Sequence, residues 1–111
     1  MSTKEDLQMI SFSIIMHAGN ARSNCMEALQ MGRNGHFDKA FEKIESADEE
    51  FVKAHNKQTT LLQEESQGKS HDLSIILIHA QDHLMTAMTV KEMATEMIEM
   101  YKRITVLEEG K

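Results

Sequence analysis

His79, Asp82 and His83 are the residues of this sequence whose types and spacing could do chemistry together. Residues three and four apart share a helix face, so the run Ile78-His79-Ala80-Gln81-Asp82-His83-Leu84-Met85 would set two imidazoles and a carboxylate on adjoining turns. Three chemistries compete for such a set. A histidine pair with a carboxylate can hold a metal, and the spacing follows the His-x-x-acid-His order of inverted zinc peptidases with aspartate in the acidic place. A hydrolase would also need a third ligand and a cleft, which this short chain does not display. The set could instead be a structural polar patch between subunits. Or a neutral imidazole could attack a phosphorus centre and hold the phosphoryl group covalently. Histidine suits that task, because a pKa of about 6.5 leaves much of it neutral near neutral pH.

The remaining histidines, His17, His36, His55 and His71, are scattered and lack an acidic neighbour on the same face of an apolar stretch. No chemistry is assigned to them. The single cysteine, Cys25, cannot form an internal disulfide, and its place among Ala21, Ala28 and Leu29 reads as a small buried hydrophobe. The net charge of −6 and the lack of a Lys/Arg cluster exclude nucleic acid as a main partner, since that affinity comes from neutralising phosphates. No stretch is apolar over the roughly 20 residues a membrane span needs. The N-terminal run lacks the basic-then-apolar pattern of a signal peptide, so a cytoplasmic chain is expected.

Three helices must position the cluster. Proline is absent, and Ala, Leu, Met, Glu, Lys and Gln abound in the 111 residues, a composition of good helix formers. With few aromatic residues, the core should be built from Ile, Leu, Met and Ala. Gly32-Arg33-Asn34-Gly35 and Ser66-Gln67-Gly68-Lys69-Ser70 interrupt the pattern, predicting one domain with helices over about 4–31, 36–67 and 71–104. Thr3 and Asp6 can cap the first, and Ser70 with Asp72 the third. The second carries the stripe Phe37, Phe41, Ile44, Ala47, Phe51, Ala54, Gln58 and Leu61. Short connections make sequential helices antiparallel, so the expected fold is all-α, an up-down-up three-helix bundle. Gly19, mid-helix, reads as the close approach of a neighbouring helix.

Helix three has two apolar faces. At about 100° per residue from His79, Leu73, Ile76, Leu77, Ala80, Leu84, Ala87, Met88, Ala94 and Ile98 form one arc. Ile75, Val90, Met93, Met97, Met100, Tyr101 and Ile104 form another with His79, Asp82, His83 and Thr86. A three-helix monomer supplies a partner for one face, which predicts a homo-oligomer with helix three at the interface. The competing arrangement places helix three centrally, so that helices one and two cover both arcs.

The segment His79-Ala80-Gln81-Asp82-His83-Leu84-Met85-Thr86 resembles the active-site segment of the lactose/cellobiose family of phosphotransferase-system enzyme IIA. Ile10-Ser11-Phe12, His17-Ala18-Gly19-Asn20-Ala21-Arg22-Ser23, Ala47-Asp48, Ala54-His55 and Gln58-Thr59 are similar to that family in order and spacing, over residues 5–105. The resemblance implies a homotrimer that takes a phosphoryl group from HPr on His79, through Nε2, and passes it to a cysteine of enzyme IIB. It implies uptake of a β-disaccharide: cellobiose, chitobiose or a related β-glucoside ahead of lactose. Asp82 matches the aspartate that gathers near the three-fold axis, where three carboxylates would repel and one shared divalent ion, Mg²⁺, would relieve them. Ile78 and Met85 are candidates for the docking patch. Gln81 and His83 stay outside the catalytic set. The alternative is a helical oligomer without transfer activity that keeps a structural metal site.

Overall fold

The computed structural model describes residues 3–69 and 71–110, and they form three helices: α1 (Lys4–Arg33), α2 (Phe37–Ser66) and α3 (Ile75–Glu109). The rod measures 63 × 20 × 20 Å. Among the described residues, no helix is long and apolar enough to cross a membrane.

Helix boundaries follow local hydrogen bonding. The Thr3 hydroxyl accepts from the Asp6 N–H, and the Asp6 carboxylate accepts from the Thr3 N–H, each at 3.1 Å. This reciprocal box caps α1 as expected, and the Thr3 donors hold the Asp6 carboxyl below the ordinary aspartate range. Both interhelical turns close alike. His36 N–H donates to Met31 O and Gly35 N–H to Gly32 O; Lys69 N–H donates to Glu64 O and Gly68 N–H to Glu65 O. These pairs are Schellman caps, whose penultimate residue takes the left-handed conformation open to glycine, and Gly35 and Gly68 have φ of 83° and 86°.

α3 departs from expectation at both ends. It begins at Ile75, not near residue 71, because the Ser74 hydroxyl accepts from the Leu77 N–H at 3.2 Å and Ser74 itself is extended. Ser70 lies outside the described residues. Asp72 precedes the helix instead of sitting in its first turn. At the far end the helix continues past residue 104, the expected end, to Glu109.

Alanine fills the core. Ala40, Ala47 and Ala54 of α2 and Ala80, Ala87 and Ala94 of α3 recur every seven residues, as do Ala21 and Ala28 of α1 beside Ala18 and Cys25, and all are buried. Their small side chains let the helices approach closely. Ile14, Leu84 and Ile98 are the largest fully buried side chains. Most of the methionines, which composition alone would put in the core, lie outside it, because long side chains cannot enter spaces shaped for methyl groups; Met31 is half-buried against the core. Met9, Met16, Met26, Met85, Met88, Met93, Met97 and Met100 are exposed.

α1 packs closely on both other helices, whereas α2 and α3 meet sparsely. α1 and α3 run parallel, with Gly19 beside His83 and Gly32 beside Ile98 and Tyr101. The first arc of α3 is buried as expected through Leu77, Ala80, Leu84, Ala87, Ala94 and Ile98. Leu73 is exposed because it precedes the helix, and Met88 lies at the rim. On the second arc, Ile75, Met93, Met97, Met100 and Ile104 are between 40% and 88% exposed. The arrangement in which helices one and two cover both arcs is thereby overturned.

Ala87→Leu is expected to destabilise the chain by roughly 1–3 kcal/mol through overpacking, and the volume-conserving Leu84→Met by less than about 1.5 kcal/mol. Urea denaturation followed by circular dichroism checks the order. Burial raises the Cys25 thiol from 9.0 to about 11. The unfolded thiol therefore ionises first, and stability should fall as pH rises from about 9 towards 11. Cys25→Ala should flatten that alkaline decline in denaturant midpoints.

Candidate functional site

The site lies on the second and third turns of α3, where His79 is exposed and His83 half-buried. Their rings stack with centroids 5.7 Å apart and planes inclined by 17°, so the (i, i+4) pair forms as expected. Gly19 of α1 shapes the pocket for His83. A Cβ built there would lie 3.5 Å from His83 Nε2, an ordinary contact, so the neighbouring helix is close as expected but leaves room for a methyl group. The Thr86 hydroxyl donates within the helix to Asp82 O at 2.9 Å and His83 O at 3.2 Å.

Asp82 is exposed and points about 60° away from His79 around the helix. The described residues offer its carboxylate no hydrogen bond or ion pair, and none of their His, Cys, Asp and Glu side chains form a group of three or more that could hold a metal. Within one chain the cluster thus resolves into a histidine pair and a separate carboxylate on the exposed apolar face.

α2 supplies the contact that the sequence reading missed. Gln58 Nε2 donates to Gln81 Oε1, tying the turn that bears His79 to α2. A signal was available, since Gln58 is the polar member of the otherwise apolar α2 stripe, and a polar group there calls for a partner. Farther along, Lys91 pairs with Asp48 at 2.5 Å. The two ties bracket an open groove of about 530 Å³ lined by Phe51, Val52, His55 and Met88. Two histidines set aside on sequence find acids from elsewhere in the chain. His17 Nδ1 lies 2.5 Å from Glu50 of α2, and His71 Nε2 lies 3.0 Å from Glu64. Both pairs stand apart from the stacked rings and brace the packing of the helices and the α2–α3 connection.

The all-α rod and the histidine pair on an exposed helix are the setting in which the comparisons with known proteins fall. Residues 9–102 match the family described as "PTS system, Lactose/Cellobiose specific IIA subunit". The lichenan-specific phosphotransferase enzyme IIA component of Bacillus subtilis is 48% identical over 101 residues, covering 91% of this chain and 92% of that protein. The cellobiose-specific enzyme IIA of Bacillus anthracis superposes with a TM-score of 0.88 at 45% identity, covering 96% of this chain and 95% of the other. The chitobiose IIA of Escherichia coli, solved in complex with HPr, superposes with a TM-score of 0.79 at 31% identity, covering 89% and 96%. The chain belongs to the lactose/cellobiose-specific IIA family of the sugar phosphotransferase system.

Gly19→Ala is expected to stabilise the chain by up to about 1 kcal/mol through helix propensity, because the new methyl group would make an ordinary contact with His83 Nε2. Thermal melting should show the gain. The His83 imidazole resonances should move while those of His17 stay in place.

Proposed function

We propose that this chain is the cytoplasmic phosphoryl carrier of a β-disaccharide phosphotransferase system, with His79 as the phosphorylated residue. The observation that carries the reading is the exposed imidazole of His79, stacked on His83, with exposed Ile78 beside it in sequence and exposed Met85 less than two turns on. HPr, the partner of the Escherichia coli relative, is the proposed donor. With the Nε2 lone pair free and the proton on Nδ1, His79 attacks the phosphorus of phospho-HPr. The new N–P bond forms as the old one breaks, and its electron pair returns to the HPr imidazole. In the second step a cysteine thiolate of enzyme IIB attacks the same phosphorus, and the pair of the His79 N–P bond returns to Nε2. Ile78 and Met85 form an apolar rim suited to transient docking. Relatives are named for lichenan, cellobiose and chitobiose and also, at 40–43% identity, for lactose; the 48% identity to the lichenan-specific protein is what supports a β-glucoside ahead of lactose.

The exposed α3 face supports assembly. Asp82, Thr86, Thr89, Met93, Met97, Met100, Ile104 and Leu107 recur at intervals of three and four, the seam of a parallel helical assembly. A homotrimer would bury that seam. It would also bring three Asp82 carboxylates together, each without a partner among the described residues of its own chain, and their mutual repulsion fits a shared hard cation such as Mg²⁺. That ion would neutralise the axis, and the transfer steps belong to His79.

Incubation with phosphoenolpyruvate, enzyme I and HPr should give an acid-labile, base-stable adduct that His79→Ala abolishes. Wild-type protein that takes no label would end the carrier reading. In sedimentation velocity the wild type should run at three times the 12.7 kDa chain mass. Chelation should weaken that trimer in the wild type and leave Asp82→Leu unaffected; indifference of the wild type to chelator removes the metal.

A further inference from the structure

α1 carries an apolar strip that the bundle leaves outside. At about 100° per residue, Phe12, Met16, Ser23 and Met26 fall between about 20° before and 60° beyond the line through Gly19, the residue that approaches His83. Phe12, Met16 and Met26 are 62%, 56% and 49% exposed. From Gln8 to Gln30 this strip holds no Asp, Glu, Lys or Arg, although such residues are common elsewhere on the surface. It runs along the margin where α1 meets the exposed face of α3.

The opposite margin of that face is hollow. α2 and α3 meet sparsely, and the groove of about 530 Å³ between them has Phe51, Val52, His55 and Met88 in its walls. Its cation and its nearest carboxylate, Lys91 and Asp48, are paired with each other, and Glu92 is exposed at the rim. An uncharged, apolar occupant suits such a hollow, because a charge buried there would go unanswered.

The α1 ridge and the α2–α3 groove thus lie on opposite flanks of one exposed face. A cyclic assembly joins unlike surfaces, each copy offering one flank and receiving the other. The heights agree as well. α1 and α3 run parallel with Gly19 beside His83, so Met26, seven residues farther on, stands level with Val90, within the Met88–Glu92 stretch that lines the groove. Copies related by rotation about an axis along α3 keep that height.

We infer that the α2–α3 groove is the socket for Met26 of the adjacent copy. The inference rests on the trimer reading above and adds to its α3 seam a second, heterologous contact. Methionine suits the task, since its unbranched, polarizable side chain fills irregular gaps and packs well on aromatic rings, here Phe51. The socket begins about 13 Å along α3 from His79, so filling it leaves the imidazole clear.

Cross-linking tests it. In a Cys25→Ala background, Met26→Cys and Val52→Cys are made singly and together; all three positions changed from Met or Val are exposed or retain a small side chain, and helicity and sedimentation are checked for each. Under mild oxidation the double variant should give reducible bands of two and three chain masses, and each single variant should give neither. His55→Cys replaces Val52→Cys if the latter does not assemble. Independently, Met26→Glu should raise the concentration at which the trimer half-dissociates by about tenfold or more, while Met9→Glu, off the strip, should leave it unchanged. Only single-chain bands from a double variant that sediments as a trimer, or a Met26→Glu trimer as tight as wild type, overturns the inference and leaves the α3 seam standing. A fluorophore on Val52→Cys that ignores assembly and responds to HPr gives the groove to the carrier and overturns it too. Wild type sedimenting as a single chain overturns both seam and socket.

Discussion

Close packing of helices at alanine is the constraint on which the rest of this structure depends. Methyl groups at Ala40, Ala47, Ala54, Ala80, Ala87 and Ala94 admit neighbouring backbones and gain dispersion contact, but each removes less apolar surface from water than a leucine would. The larger apolar side chains are displaced outward. Those on α3 gather into a second face that the other described residues leave exposed, so a slender core and a large sticky flank are two results of one packing choice.

The same constraint sets the reactive residues apart. α1 lies close to α3 at Gly19 beside His83, which leaves that imidazole half-buried and its stacked partner, His79, open. α2 stands farther from α3 and is joined to it across the groove by side chains, Gln58 to Gln81 and Asp48 to Lys91. One flank of the site is therefore defined by backbone proximity and the other by polar reach.

Much of this was legible in the residues alone. The three-four spacing placed the helices and both arcs of α3, because burial repeats with the helical period. The glycine breaks marked the turns, since left-handed caps admit few other residues. The start of α3 was misjudged because Ser70, Asp72 and Ser74 are all capping types and local sequence does not rank them. Gln58 and Gln81 are 23 residues apart, and His17 and Glu50 are 33 apart; such pairs depend on how helices rotate against one another, which no single stripe specifies. Composition points to methionine in the core, while the helical arcs already set Met93, Met97 and Met100 on the second face of α3; side-chain length keeps most of the others outside as well.

The thioethers on α3 carry a further consequence. Met93, Met97 and Met100 are exposed in the separate chain, and oxidation to the sulfoxide would turn each into a polar, chiral group. Unassembled chains would then bear a chemical record of peroxide exposure, written on the surface proposed above as the seam between copies.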